Sequence, residues 1–174
     1  MRMNTQSSLT AKDVVNNYTE EELADILFLY GDIRNSRKIA KQIVDFRSKR
    51  AIITTSDLIA SVQLFIPYKK RSQFLARIFQ SIRIEVNDEI NSLKEMLSDA
   101  VDLLSKQGRM VILSYHSIED RIVKNLFKKG DMGGNIKKDF FGNVQKSLNE
   151  INTKIIIPSS QEISINSRSK SAKL

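Results

Sequence analysis

The residues best equipped for chemistry lie between Arg109 and Arg121, in the run Arg-Met-Val-Ile-Leu-Ser-Tyr-His-Ser-Ile-Glu-Asp-Arg. His116 is the only histidine in the chain, and an imidazole gains or loses a proton near neutral pH. Tyr115 precedes it. Glu119 and Asp120 follow within one helical turn, where a carboxylate can orient the ring or a substrate amine. Ser117 stands three residues before Asp120, a variant of the capping box with Asp in the place of Glu, so these two also have a plain reading as a helix cap. Before them, Met110 to Leu113 is a short apolar run after Gly108 that reads as a buried strand. After them, Ile118, Ile122, Val123 and Leu126 mark one face of a helix. Ligands of open α/β sheets bind beside the carboxyl ends of strands, which is where this pattern puts Tyr115 and His116.

Two further clusters carry polar chemistry. Arg83 and Asn87, four residues apart and followed by Asp88 and Glu89, share a face of a continuous helix. Arg and Asn suit phosphate and base-edge contacts, although from spacing alone a solvated helix surface is the better reading. The other cluster is basic. Arg34, Arg37, Lys38 and Lys41 surround an apolar stripe of Ile39, Ala40, Ile43 and Phe46, with Tyr68 to Arg71 and the tail residues Arg168, Lys170 and Lys173 adding charge. Such a surface would bind an RNA backbone without reading sequence, with a solvated helix face as the competing reading. Aromatic residues among these charges are sparse, which counts against single-strand stacking there.

The 174 residues carry a formal charge of +8, which on charge alone fits an anionic partner, nucleic acid first, and fits equally a lysine-rich composition that only keeps the protein soluble. At 41% apolar the chain can bury a core. It has no cysteine, so disulfides and thiolate metal sites are excluded, and no spacing of carboxylates around His116 indicates a metal site. No apolar run reaches the length that spans a bilayer, and no signal-peptide core is present at the N-terminus. A cytoplasmic protein with no membrane association is the expectation.

The elements that must position these residues fall into two groups. Residues 1–8 are a polar connector. From Leu9 to Arg71 four short helices follow without a strand: Ala11 to Tyr18, a helix opened by the capping box Thr19 to Glu22 and closed at Gly31, a basic helix from about Ile33 to Lys49, and one capped at Thr54 or Thr55 that ends before Pro67. From Ser72 two helical runs lead to Gly108, then come the strand and helix around His116. Lys128 to Asn152 is loop-like, Lys154 to Ile157 reads as another strand and Glu162 to Ile165 as a possible last one. Residues 166–174 read as an extended or mobile tail. Helix, strand, helix is half of an α/β unit. The glycines from Gly130 to Gly134 follow a helix and not a strand, so they fail the context of a phosphate or dinucleotide loop.

Several blocks, in order, resemble the MraW family of ribosomal small-subunit RNA methyltransferases. They are Met1-Arg2-Met3, Asp13-Val14-Val15-Asn16, Tyr30-Gly31, Arg77 to Ile84, Val86-Asn87-Asp88-Glu89, Tyr115 to Lys124, and the ending Ser171-Ala172-Lys173-Leu174. The resemblance implies methylation of cytosine N4 in 16S ribosomal RNA near the decoding site, with S-adenosylmethionine as cofactor. It also implies an α/β, Rossmann-like catalytic domain interrupted by a small all-helical substrate-recognition domain. Residues 9–71 would be that insertion, and residues 72–174 the C-terminal part of the catalytic domain. Tyr115, His116 and Glu119 would line the pocket for the cytosine. Arg34, Arg37, Lys38, Lys41, Arg83, Asn87, Arg121 and Arg168 would contact RNA.

This sequence departs from the family pattern at several points. The strand, glycine-rich loop and acidic residue that hold the cofactor would precede the position matched by Met1. Gln107 stands where the family usually has a second glycine, Ser167 where it has proline, and Asp32 where it has glutamate. The expectation is therefore a partial form that alone binds no S-adenosylmethionine and is inactive. Its partners would be 16S ribosomal RNA or the small subunit, with self-association through exposed apolar surface. A non-catalytic RNA- or partner-binding module is the alternative.

Overall fold

The computed structural model describes residues 1–152 and 154–174. They form two compact units, Met1–Glu89 and Ile90–Leu174.

The first unit is helical because the same local code recurs three times. Thr10, Thr19 and Thr54 each accept the backbone N–H of a residue three positions on, and Asp13, Glu22 and Asp57 reach back to the threonine N–H. Each reciprocal pair satisfies two amides that a helix start would otherwise leave without partners. The helices are α1 (Ala11–Asn17), α2 (Glu20–Leu29), α3 (Ser36–Arg47), α4 (Thr55–Ser61) and α5 (Arg71–Asn87). Their apolar stripes meet in one core, where Val14, Leu23, Leu27, Ile39, Ile43, Val62, Ile78 and Ile82 are fully buried.

The sequence boundary after Arg71 separates α5 from this core, but α5 completes it. Ile78, Ile82 and Val86 lie inside, with Phe74, Leu75 and Phe79 packed beside them. The connector is also tied down: Asn87 Nδ2 donates to the Met1 carbonyl at 2.9 Å, and the Met3 N–H donates to Asn87 Oδ1 at 2.7 Å. After α2 the left-handed position is taken by Asp32 (φ 51°) and not by Gly31. Gly31 is needed for a different reason, because a Cβ there would sit 2.7 Å from the Leu27 carbonyl oxygen.

The second unit is carried by α6 (Glu89–Leu103), α7 (Ser117–Lys129) and α8 (Ser160–Ile165). It corrects the expected strands. Among the described residues no ladder forms at Met110 to Leu113 or Lys154 to Ile157, and Glu162 to Ile165 is helical. Ser159 caps that helix by accepting the Glu162 N–H at 3.1 Å, a stop-and-start signal after Pro158 that outweighs the alternation of its apolar residues. A Rossmann-like α/β layer is therefore not formed among the described residues.

Strand pairing among the described residues is brief: Lys138 pairs with Val144, and the rest is centred on the last residues. Ser114 and Lys173 exchange both backbone hydrogen bonds (2.9 and 2.8 Å), and Ile156 and Leu174 do the same (both 3.0 Å). Lys173 and Leu174 thus lie between the two apolar runs, bonded on one side to each. The tail that reads as mobile is held, and residues 167–171 before it form a 3-10 turn. Among the described residues no helix is long and apolar enough to cross a membrane.

Candidate active site and nucleic-acid interface

The turn from Ser114 to Asp120 is fixed at both ends. Ser114 is buried and paired to Lys173, and Ile118 and Ile122 anchor the first turns of α7. The helix cap is one residue earlier than the sequence reading had it. His116 is extended (φ −134°, ψ 161°) and its Nδ1 accepts the Glu119 N–H at 3.4 Å, whereas Ser117 is already helical. The longer Glu119 side chain reaches back to the N–H groups of Tyr115 (2.9 Å) and His116 (3.3 Å), both through Oε2. Asp120, assigned to the cap from spacing, turns away.

His116 and Glu119 form one assembly. The imidazole side chain is about nine-tenths buried, and its Nε2 lies 3.1 Å from Glu119 Oε1. That approach has the distance of an ion pair but not the direction of a hydrogen bond, so Nε2 is left without a hydrogen-bond partner. Burial works to raise the Glu119 carboxyl; the imidazole and the two backbone N–H groups outweigh it and hold the group below its ordinary value. A carboxylate offers about four acceptor directions. Oε2 has two taken, while Oε1 keeps capacity for an incoming donor. Tyr115, whose backbone N–H is bonded to this carboxylate, is 54% exposed.

Asp120 does different work. Its Oδ2 receives Lys124 Nζ at 2.8 Å and Lys173 Nζ at 3.0 Å. Burial again pushes toward protonation, and the two ammonium groups reverse the direction, holding this carboxyl below its ordinary value. Lys173, expected to add charge to a basic tail, is the clasp that fastens the C-terminus to α7. The sequence carries no local signal of this, since the pair is 53 residues apart.

In this second unit an open cavity of about 990 Å³, with apolar and charged lining, lies between residues 101–112, α7 and residues 147–152 and 154–156. Val101, Leu104, Met110, Val123, Phe127 and Leu148 are among its lining. Val111, Leu113 and Ile155 to Ile157 are exposed nearby in sequence, an unusual state for β-branched and leucine side chains.

The expected RNA contacts divide into two groups. Arg37, Lys38 and Lys41 are exposed on the polar side of α3, Arg34 is exposed in the turn just before it, and Arg121 and Arg168 are exposed in the second unit. None of the six forms an ion pair with another described residue. Arg83 and Asn87 are engaged within the first unit. Arg83 makes a two-pronged contact with Glu89 (2.8 and 3.0 Å), and Asn87 holds Met1, Met3 and the Arg83 carbonyl. Arg47, on the basic helix, is likewise spent on the carbonyls of Val15 and Tyr18 at the end of α1.

Comparison with known proteins places these observations in a lineage. The sequence model of the MraW methylase family matches residues 1–174. The ribosomal RNA small subunit methyltransferase H of Parabacteroides distasonis is 47% identical over 174 residues, which is 100% of this chain and 57% of that protein. The proteins of the same name from Phocaeicola vulgatus and Karelsulcia muelleri are 46% and 44% identical over 174 and 172 residues, again 57% of each. The chain therefore spans somewhat more than half the length of the curated relatives it matches.

Proposed function

The chain belongs to the MraW methylase family, and from that premise we propose that it is part of a methyltransferase acting on the RNA of the small ribosomal subunit. The finer reading is transfer of a methyl group from S-adenosylmethionine to N4 of a cytosine in 16S ribosomal RNA near the decoding site, in the cytoplasm. The family match along the whole chain is the observation that carries it; the order of the matching blocks and the basic surface of α3 support it.

By the same resemblance, the strand and glycine-rich loop that hold S-adenosylmethionine precede the position matched by Met1, so this reading assigns cofactor binding to that segment.

What this chain contributes is substrate handling. Cytosine N4 is a weak nucleophile because its lone pair is delocalised into the ring. The enzyme must extrude the base and orient the amine with acceptors. Glu119 is held ionised with Oε1 still able to accept, so it takes an amine N–H. Tyr115 offers the stacking face, and His116 fixes the carboxylate by capping the same turn. Arg34, Arg37, Lys38 and Lys41 bind phosphates, and Arg121 and Arg168 add to that field. Arg83 and Asn87 support the helical unit through their own contacts and meet RNA only at its margin. The exposed apolar run 111–113 and the cavity beside it receive the rest of the longer protein or, failing that, a second copy.

The test replaces the matching region of the Parabacteroides distasonis relative with this chain and analyses the nucleosides of small-subunit RNA from cells lacking the native enzyme. N4-methylated cytidine is expected; its absence with a folded chimera would refute the reading.

A further inference from the structure

The hairpin from Lys137 to Gln145, in the second unit, raises two aromatic rings into solvent. Phe140 is 98% exposed and Phe141 85%. The turn that carries them is built firmly. Gln145 N–H donates to the Lys137 carbonyl at 2.8 Å, Asp139 N–H to the Asn143 carbonyl at 2.9 Å and Gly142 N–H to the Asp139 carbonyl at 3.0 Å, with Lys138 and Val144 paired across the arms. The Asp139 carboxylate accepts the N–H groups of Phe141 (2.9 Å) and Asn143 (2.8 Å) and the Asn143 side-chain amide (3.1 Å). Gly142 takes the left-handed conformation (φ 85°) the turn needs. At the base, Gly130 ends α7 and lets the backbone of Gln145 and Lys146 close on it.

The rings meet edge to face, with centroids 5.7 Å apart and planes at 87°, so their outer faces stay open. Their surroundings are positive. Lys137, Lys138 and Lys146 are exposed on the arms, and Lys128 is exposed at the end of α7. From Lys128 to Lys146 five lysines face two aspartates. Both carboxylates are occupied by backbone N–H groups, Asp131 by that of Asn135 at 2.8 Å and Asp139 as above. Two phenylalanines on a narrow tip are far short of the roughly 800 Å² that each partner buries in a stable protein interface. They match the size of one or two bases, and every base has a π-face to offer.

We propose that Phe140 and Phe141 form a stacking platform for single-stranded RNA, with Lys137, Lys138 and Lys146 neutralising the flanking phosphates. This rests on the RNA reading above and adds a surface separate from α3 and from the turn at His116. It is tolerant of base identity and sensitive to whether bases are unpaired.

The chain has no tryptophan, so Phe141→Trp creates a single reporter. Titration with a 12-nucleotide single-stranded RNA, followed by tryptophan quenching and by anisotropy of an end label, reads stacking and total binding together. Both signals are expected to saturate at the same concentration. Phe140→Ala with Phe141→Ala should weaken binding about tenfold while leaving the slope of log affinity against log salt unchanged. Lys137→Gln with Lys138→Gln should reduce that slope by roughly 1.4, about 0.7 per lost phosphate contact. Because both rings are exposed, the alanine variants retain the fold, which circular dichroism checks. Unchanged affinity in the double alanine variant, or anisotropy that saturates with no quenching, would overturn the platform and leave the RNA reading standing. A tryptophan already shielded without RNA would assign the tip to a protein contact and also overturn it. If the chain fails to bind RNA while the chimera methylates, the platform alone falls; if both fail, so does the methyltransferase reading.

Discussion

Asp120→Asn tests whether this carboxylate is a clasp and not a catalytic group. In the wild-type chain its Oδ2 holds Lys124 and Lys173 at 2.8 and 3.0 Å. Both lysine side chains are a little over one-third exposed, so solvent screening limits each pair to about 0.2–1 kcal/mol. A carboxylate in the first turn of α7 adds roughly 0.3–1 kcal/mol through the helix dipole. The loss on neutralisation is then about 1.5 kcal/mol, or roughly tenfold in a local opening equilibrium. The reporters are the amides of Ser114 and Lys173, which bond each other, read by hydrogen exchange with Ile82 in α5 as the control. The sign of the pH dependence is fixed. The folded carboxyl lies below its ordinary value, so its contribution is present above the unfolded value of about 3.9 and is lost as pH falls through the folded value. Wild type and variant should differ about tenfold at Ser114 and Lys173 from pH 7 to 5 and converge below about pH 4. Equal exchange at pH 7, or a difference that persists undiminished at pH 2, would refute the clasp.

Three other substitutions separate local effects. Gln107 holds a left-handed conformation (φ 67°), so Gln107→Gly should stabilise the second unit by about 0.5 kcal/mol, the strain removed less the entropy of glycine, measured by urea unfolding. Leu27→Ala removes a fully buried side chain from the helical core and should cost about 2–5 kcal/mol in the first unit, seen as early loss of protection in α2 and α5. Gly130→Ala places a Cβ 2.5 Å from the Gln145 carbonyl at φ 71°, so the hairpin arm must move away from α7. Exchange at Gln145, whose N–H is bonded to Lys137, should rise several-fold, and an unchanged rate would mean the arm is not seated there.

The helical unit was legible because its signals are local. Thr19 and Glu22 announce a helix start within four residues, and Leu23, Ile26 and Leu27 point its apolar side. The boundary at Arg71 misled because the face of α5 can be read from spacing, while the identity of its partner cannot. Strands fared worse for a related reason. Met110 to Leu113 and Ile155 to Ile157 have the composition of strands, but a ladder requires a neighbouring backbone, and for these runs pairing among the described residues stops at Ser114 with Lys173 and Ile156 with Leu174. At the candidate site, Tyr115, His116 and Glu119 were recognisable as a group, and the structure brings them together. The exact cap was not, since His116 rarely plays that part and Ser117 looks the better candidate. The link from Asp120 to Lys173 and the exposure of Phe140 and Phe141 are properties of the folded chain.

If the turn at His116 handles the substrate as proposed, its side chains set the rate of methyl transfer. The most direct test is the methylation rate of small subunits by the chimera carrying this chain, compared with its His116→Ala and Glu119→Gln forms at matched folding. The account predicts a rate at least a hundredfold lower for Glu119→Gln, which removes the charged acceptor, and a clear loss for His116→Ala. Wild-type rates in both variants would contradict it.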